Sequence, residues 1–125
     1  MKILKPILGL VLLSLITSSC YYDTFPENQL PIPDEVSYSE DIQPLWNQDC
    51  VSCHQGNIPP NLSADVSYNS LITGGYVIEF NASESVLYHS LLGIEGVSLM
   101  PPSSRWPDDQ IQLVEKWIDD GAENN

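Results

Sequence analysis

The clearest periodic pattern of hydrophobic residues lies near the C-terminal end of the chain. Four large apolar residues there fall on one stripe of a helix: Ile111, Val114, Trp117 and Ile118. Pro107 suits the first turn of this helix, and Asp108 and Asp109 complement the positive end of its dipole. Gly121 is a typical residue to end it. The pattern therefore predicts an amphipathic helix from Pro107 to Gly121.

A shorter pattern predicts a first helix from Ser39, a suitable N-cap, to about Cys50. Its apolar face consists of Ile42, Leu45 and Trp46. Pro44 has no backbone N–H to donate, so we expect the helix either to begin nearer Asp41 or to be kinked.

Two more helices are predicted in the middle of the chain. Asp65 is a candidate N-cap for a short helix through Ile72. Asn81 and Glu84 have the spacing of a capping box, which predicts a helix that ends at Gly93.

The signals for β-structure are weak. Only Tyr76–Phe80 has the composition of a strand, and no partner of similar length accompanies it. The whole pattern therefore predicts an all-α domain with long loops.

The first twenty residues have the pattern of an export signal. Two lysines precede an apolar run, Ile7–Ile16, which is too short to cross a bilayer comfortably as a mature helix. Small polar residues then lead into Cys20, and this ending resembles a bacterial lipoprotein signal. An ordinary secretory signal with a coincidental cysteine is the alternative. We expect residues 1–19 to be removed and the exported protein to be anchored by lipid on Cys20, on the periplasmic or cell-surface side of a bacterial membrane.

The remaining chain divides into a tether and one domain. Residues 20–35 are acidic and rich in proline without a regular period, which predicts an extended tether before a domain over 36–125. The chain has 17 acidic and 4 basic residues, a formal charge of −13, and loss of the signal with its two lysines makes it more negative. This charge gives no basis for binding nucleic acid and favours basic partner proteins.

The candidate chemistry is concentrated in the segment 50–54, whose sequence CVSCH is the attachment signature of c-type haem. On a helical turn, two thiols at this spacing can add to the two vinyl groups of one haem. Cys50 and Cys53 would then form thioethers, and His54 would be the proximal ligand of the iron. With lipid on Cys20, none of the three cysteines is left for a disulfide.

Three other kinds of site share part of this motif. A thioredoxin-like redox pair needs a strand-helix setting, which the pattern lacks. A zinc site needs a fourth ligand, for which only His89 is left as a soft or imidazole donor. A structural disulfide leaves the adjacent histidine unexplained. Haem attachment accounts for both cysteines and the histidine.

The sixth ligand of the iron decides between an electron carrier and an enzyme. Met100 is the only thioether left once the signal is removed, and Pro101 and Pro102 stiffen its loop. His89 is the rival ligand, but it lies off the apolar side of its predicted helix, which favours a surface histidine. We therefore predict Met100 as the ligand.

These segments together resemble the monohaem class I c-type cytochromes, most closely the short bacterial domains of planctomycete type. The matching segments, in order, are Ser39–His54, Ser67–Gly75, Ser83–Gly93, Leu99–Pro102 and Gln110–Ala122. The resemblance implies about four helices around one covalent haem c, with the first and last helices crossing. The residues it implies at that crossing are Leu45, Trp46, Val114 and Trp117. It also implies iron held by His54 and Met100.

The resemblance implies a one-electron carrier and not an enzyme. The alternative is a haem-based sensor of small ligands, or a peroxidase-like enzyme, in which Met100 leaves the iron. Arg105, the only arginine, is a candidate partner for a haem propionate, and an exposed surface arginine is the other interpretation. The second ring nitrogen of His54 is expected to donate to a backbone carbonyl, that of Pro59 or Pro60.

Overall fold

A computed structural model describes residues 31–125 of the chain. The elements, in order, are a π-helical turn (Tyr38–Ile42), helix α1 (Gln43–Asp49), helix α2 (Ser67–Thr73), a 3₁₀ turn (Ala82–Glu84), helix α3 (Val86–Leu92) and helix α4 (Asp108–Asp119). No strand occurs in this part of the chain. The prediction of an all-α domain is confirmed.

The first helical segment begins earlier than predicted and contains an irregular turn. Ser37 is its N-cap instead of Ser39, and its hydroxyl accepts a backbone N–H three residues further on at 3.2 Å. The N–H of Gln43 donates to the carbonyl of Tyr38, five residues back. Because Pro44 has no N–H, the regular helical pattern cannot run through it, and the wider π-helical turn lies just before it.

The predicted caps of α2 and α3 are wrong, although both helices exist. Val66 precedes α2 where Asp65 was expected, and no side chain caps that helix. Asn81 precedes the 3₁₀ turn and Glu84 is its last residue, and the two do not form a capping box. Gly93, with φ of 67°, ends α3 as predicted. Helices this short are stabilised mainly by tertiary packing, so local capping patterns locate their ends poorly.

The segment Tyr76–Phe80, which has only a weak strand signal in the sequence, is a loop. Phe80 has φ of 62°, a left-handed conformation that a strand does not contain. Its N–H donates to the carbonyl of Ile118 at 2.9 Å. The segment therefore closes onto the end of α4.

Helix α4 is at the centre of the core. Its predicted apolar stripe is buried: Ile111, Val114, Trp117 and Ile118. The helix contacts the π-helical turn, the 3₁₀ turn and α3. The rings of Tyr38 and Trp117 pack with centroids 5.1 Å apart, so the first and last helical segments meet at the π-helical turn. Leu45 is only partly buried, and Trp46 stacks on Trp106 at 5.6 Å.

Candidate cofactor site

A cavity of about 450 Å³ lies between the loop that follows α1 and the loop that follows α3. Its walls are predominantly apolar. Four predicted site residues line it: Cys50, Cys53, His54 and Met100. The fold therefore brings the segment 50–54 and Met100, which are far apart in sequence, to the same cavity.

Cys50 and Cys53 lie on a tight turn directly after α1. The N–H groups of Cys53 and His54 both donate to the carbonyl of Cys50, at 3.1 and 2.9 Å, as in a helical turn. Both cysteines are free thiols. Cys53 is exposed, whereas burial, assisted by the nearby Asp49 carboxylate, raises the pKa of the Cys50 thiol to about 12. Cys50 is therefore protonated at neutral pH.

The ring of His54 is oriented by the loop that follows it. Its Nδ1 lies 3.1 Å from the carbonyl oxygen of Pro60 and 3.2 Å from that of Ile58. Carbonyl oxygens only accept, so Nδ1 carries the proton and donates it. In the neutral ring, Nε2 then has the free lone pair and can bind a metal. The predicted hydrogen bond to a proline carbonyl is confirmed for Pro60.

Met100 lies on the loop between α3 and α4. Its N–H donates to the carbonyl of Ser90 at 2.7 Å, which ties the loop to α3. Pro101 and Pro102 follow it and also line the cavity. Because proline restricts φ, this segment has few accessible conformations. The loop thus holds an uncharged thioether side chain beside the cavity.

His89 and Arg105 lie outside this cavity. His89 donates from Nε2 to the carbonyl of Ser83 at 2.8 Å, which links α3 to the 3₁₀ turn. The guanidinium of Arg105 pairs with Asp108 at 2.6 Å, and Arg105 lines a second, smaller cavity beside Trp106. The contact of Arg105 with a propionate stays a prediction.

Three comparisons with known proteins found no match for the chain: no family model, no curated protein and no solved structure. The function is therefore inferred from the chemical groups that line this cavity.

The cavity has a buried apolar floor and an exposed apolar rim. The floor includes Trp46, Leu62, Leu87 and Leu91. At the rim, Ile58 is 52% exposed and Val86 is 41% exposed. An apolar cavity of this kind suits a large apolar ligand. The sequence did not point to Ile58 or Leu62, because residues of an irregular loop follow no hydrophobic period.

The cavity carries little charge although the chain is strongly acidic. Among the described residues that line it, Asp49 is the only carboxylate. An apolar lining lowers the local dielectric and strengthens the electrostatic effect of each polar group that faces the cavity.

The predicted lipid anchor on Cys20 and the predicted tether fall wholly or partly outside the residues that the structure describes. Cys20 lies outside the described residues, as does the tether before residue 31. Within residues 31–125, no helix is both long and apolar enough to span a bilayer. In the same range, no cluster of three or more His, Cys, Asp or Glu side chains has an arrangement suited to a metal ion.

Proposed function

We propose that the protein is a c-type cytochrome that carries single electrons through one covalently attached haem c. The proposal rests on one observation: two thiols, a histidine with a free Nε2 and a thioether all meet at one apolar cavity. These are the groups that attach and ligate haem in cytochromes with His/Met coordination.

The residues at the cavity fit a haem group. The volume of about 450 Å³ falls in the ordinary range for cofactor sites, and the walls are apolar, as the porphyrin requires. A porphyrin in this cavity would also cover the apolar side chains of Ile58 and Val86, which otherwise face water. The donor set and the cavity wall therefore support the same ligand.

Each residue of the site has a definite role in this proposal. When bound, the haem supplies a reversible couple between Fe(II) and Fe(III). Cys50 and Cys53 would hold it through thioether bonds, and Nε2 of His54 would bind the iron. The neutral thioether of Met100 would bind the iron as well, which would favour Fe(II) and raise the midpoint potential. With iron bound by both His54 and Met100, no site would be left for a substrate, which favours a carrier over an enzyme.

The negative charge of the chain favours basic proteins as partners. A chain with a formal charge of −13 attracts proteins with basic docking patches, and salt screens this attraction.

We include in the proposal export and a lipid anchor on Cys20, which would hold the carrier close to membrane-bound redox enzymes. A Cys20→Ala variant tests the anchor, because it should move the protein from the membrane to the soluble fraction.

Optical spectra of the purified full chain test the proposal. The chain is produced in a host that attaches haem c, and spectra are recorded oxidised, reduced, and reduced under CO. We expect bands of a six-coordinate low-spin haem that CO leaves unchanged. Rapid and complete CO binding would support the sensor or peroxidase-like alternative. Absence of haem bands would contradict the cytochrome proposal.

A further inference from the structure

A chain of buried hydrogen bonds runs from the first helical segment to the loop that orients His54. The hydroxyl of Tyr38 donates to Oγ of Ser67 at 2.7 Å, and the hydroxyl of Ser67 donates to Oε1 of Gln43. Nε2 of Gln43 donates to the carbonyl of Leu62 at 3.1 Å. The N–H of Leu62 donates to the carbonyl of His54 at 2.7 Å. Tyr38, Ser67 and Gln43 are called the buried triad below.

The buried triad is nearly inaccessible to water. Gln43 is 7% exposed, Tyr38 is 3% exposed and Ser67 is fully buried. Burial also raises the pKa of Tyr38, so its hydroxyl stays a neutral donor. Breaking one link would leave a buried polar group without a partner, which is unfavourable. A polar chain that is expensive to bury and completely paired fixes one arrangement of the groups at its ends.

One end of this series of hydrogen bonds lies beside His54, on the side of the cavity that carries the imidazole. The segment 58–62 provides both carbonyls that accept from Nδ1 of His54. Gln43 holds the last residue of this segment, and Ser70 accepts from the N–H of Asn61 at 2.8 Å. The segment is thus anchored to α1 and α2 immediately beside the carbonyls that orient the imidazole.

We propose that Gln43, held in place by Ser67 and Tyr38, is a positioning residue for His54. It keeps the segment 58–62 where the hydrogen bonds to Nδ1 are formed, and it thereby sets how strongly Nε2 donates to the iron. This inference rests on the proposed haem function.

The direction of the effect follows from the chemistry of imidazole. A ring whose Nδ1–H is firmly hydrogen-bonded is more basic and is held in one orientation at the metal. Stronger donation from Nε2 stabilises Fe(III) relative to Fe(II), which lowers the midpoint potential. Loosening the segment therefore raises the midpoint potential.

The test compares three variants of the full-length holoprotein with the wild type. Gln43→Met keeps the approximate size of the side chain and removes its hydrogen bonds, whereas Ser67→Ala leaves the bond from Gln43 to Leu62 possible. Ser85→Ala is the matched control, because Ser85 is equally buried and bonds to Ile78 and Asn81, away from His54. The readouts are the midpoint potential, the ¹⁵N shifts of the His54 ring and the midpoint of thermal unfolding.

We expect the potential to rise most in Gln43→Met, less in Ser67→Ala, and not in Ser85→Ala, with parallel changes in the His54 shifts. Both serine variants should lose thermal stability, so stability alone does not account for the difference. If Gln43→Met has the same potential and His54 shifts as the wild type, the positioning role is wrong, while the cytochrome proposal stands. Should Gln43→Met yield no holoprotein, the two serine variants decide. A potential in Ser67→Ala equal to that in Ser85→Ala would then overturn the positioning role. A wild-type chain without haem overturns both proposals, and its spectrum reveals this before any variant is made.

Discussion

At His54, two carbonyl oxygens determine which ring nitrogen is available. The carbonyls of Pro60 and Ile58 hold the proton on Nδ1, so the lone pair of Nε2 is free for a ligand. The proline carbonyl was predictable, because a histidine ligand normally donates its second N–H to a nearby acceptor. The second carbonyl was not, because the turn of an irregular loop has no signature in the sequence.

Replacement of Met100 by Ala should open the sixth position. The reduced variant should bind CO rapidly, and its midpoint potential should fall because the neutral thioether that favours Fe(II) is lost. CO-difference spectra and redox titration measure the two effects. Leu99→Ala is the control, since Leu99 lies next to Met100 but does not line the cavity. If the Met100→Ala protein neither binds CO nor changes its potential, Met100 is not a ligand of the iron.

The ligands and the buried triad differ in how far sequence predicts them. Cys50, Cys53 and His54 are close together along the chain, and their spacing is the signature from which haem attachment is proposed. Met100 could be found by elimination among a few sulfur ligands. Gln43 and Ser67 are 24 positions apart, and each is an ordinary polar residue in isolation. Only the fold shows that the two side chains meet.

Among the elements, the packing of α3 on α4 contains a group that titrates at high pH. Tyr88 of α3 is partly buried against the core. Burial, together with the Glu115 and Asp119 carboxylates of α4, raises the pKa of Tyr88 to about 12 from its ordinary value of 10. Folding therefore favours the neutral phenol.

This shift predicts a loss of stability at alkaline pH. The stabilising contribution is fully present below pH 10 and is lost as the pH rises towards 12, because the unfolded chain gives up this proton first. Tyr88→Phe should reduce the slope of unfolding free energy against pH in that window and leave it unchanged at pH 7. Urea unfolding at several pH values measures it. Equal slopes for wild type and variant would mean that Tyr88 titrates normally.

Hydrophobic period predicted the elements better than local caps did. The stripe of α4 was correct because a twelve-residue helix contains several repeats of the period. The caps of α2 and α3 were wrong because each helix has only seven residues and is held by its neighbours. The π-helical turn was not predicted, although Pro44 indicated that something irregular had to precede it.

Considered as a whole, the domain is closed by contacts between its two ends. Asn125 accepts the N–H of Tyr38 on Oδ1 at 2.8 Å and the N–H of Ser39 on its carbonyl at 2.9 Å. These are N–H groups of the first helical turn, which lack partners within the helix. A residue distant in sequence therefore assists Ser37 in capping that turn.

Asn125→Ala should destabilise the domain by about 0.5–2 kcal/mol, the usual cost of removing a capping side chain. Asn124→Ala is the control, because this neighbouring side chain is exposed. Thermal unfolding should show a lower midpoint for Asn125→Ala alone. Equal midpoints for the two variants would show that the hydrogen bond from the Tyr38 N–H to the Asn125 side chain contributes nothing measurable.

The small size of the domain gives the proposed cofactor a structural role. A domain of this length buries a limited core, and a covalent apolar group in the cavity would extend that core between two loops. Cys50, Cys53, His54 and Met100 would then join these loops through one shared group. The same group would provide the redox chemistry and part of the stability.

The most direct test of the central proposal is the mass of the denatured chain. The protein is purified from a host that attaches haem c, unfolded in acid, separated from free haem and weighed by mass spectrometry. We predict that every chain retains the mass of one haem, and that a Cys50→Ala, Cys53→Ala double variant retains none. A wild-type chain that releases its haem on denaturation, or that never carried one, would contradict the account.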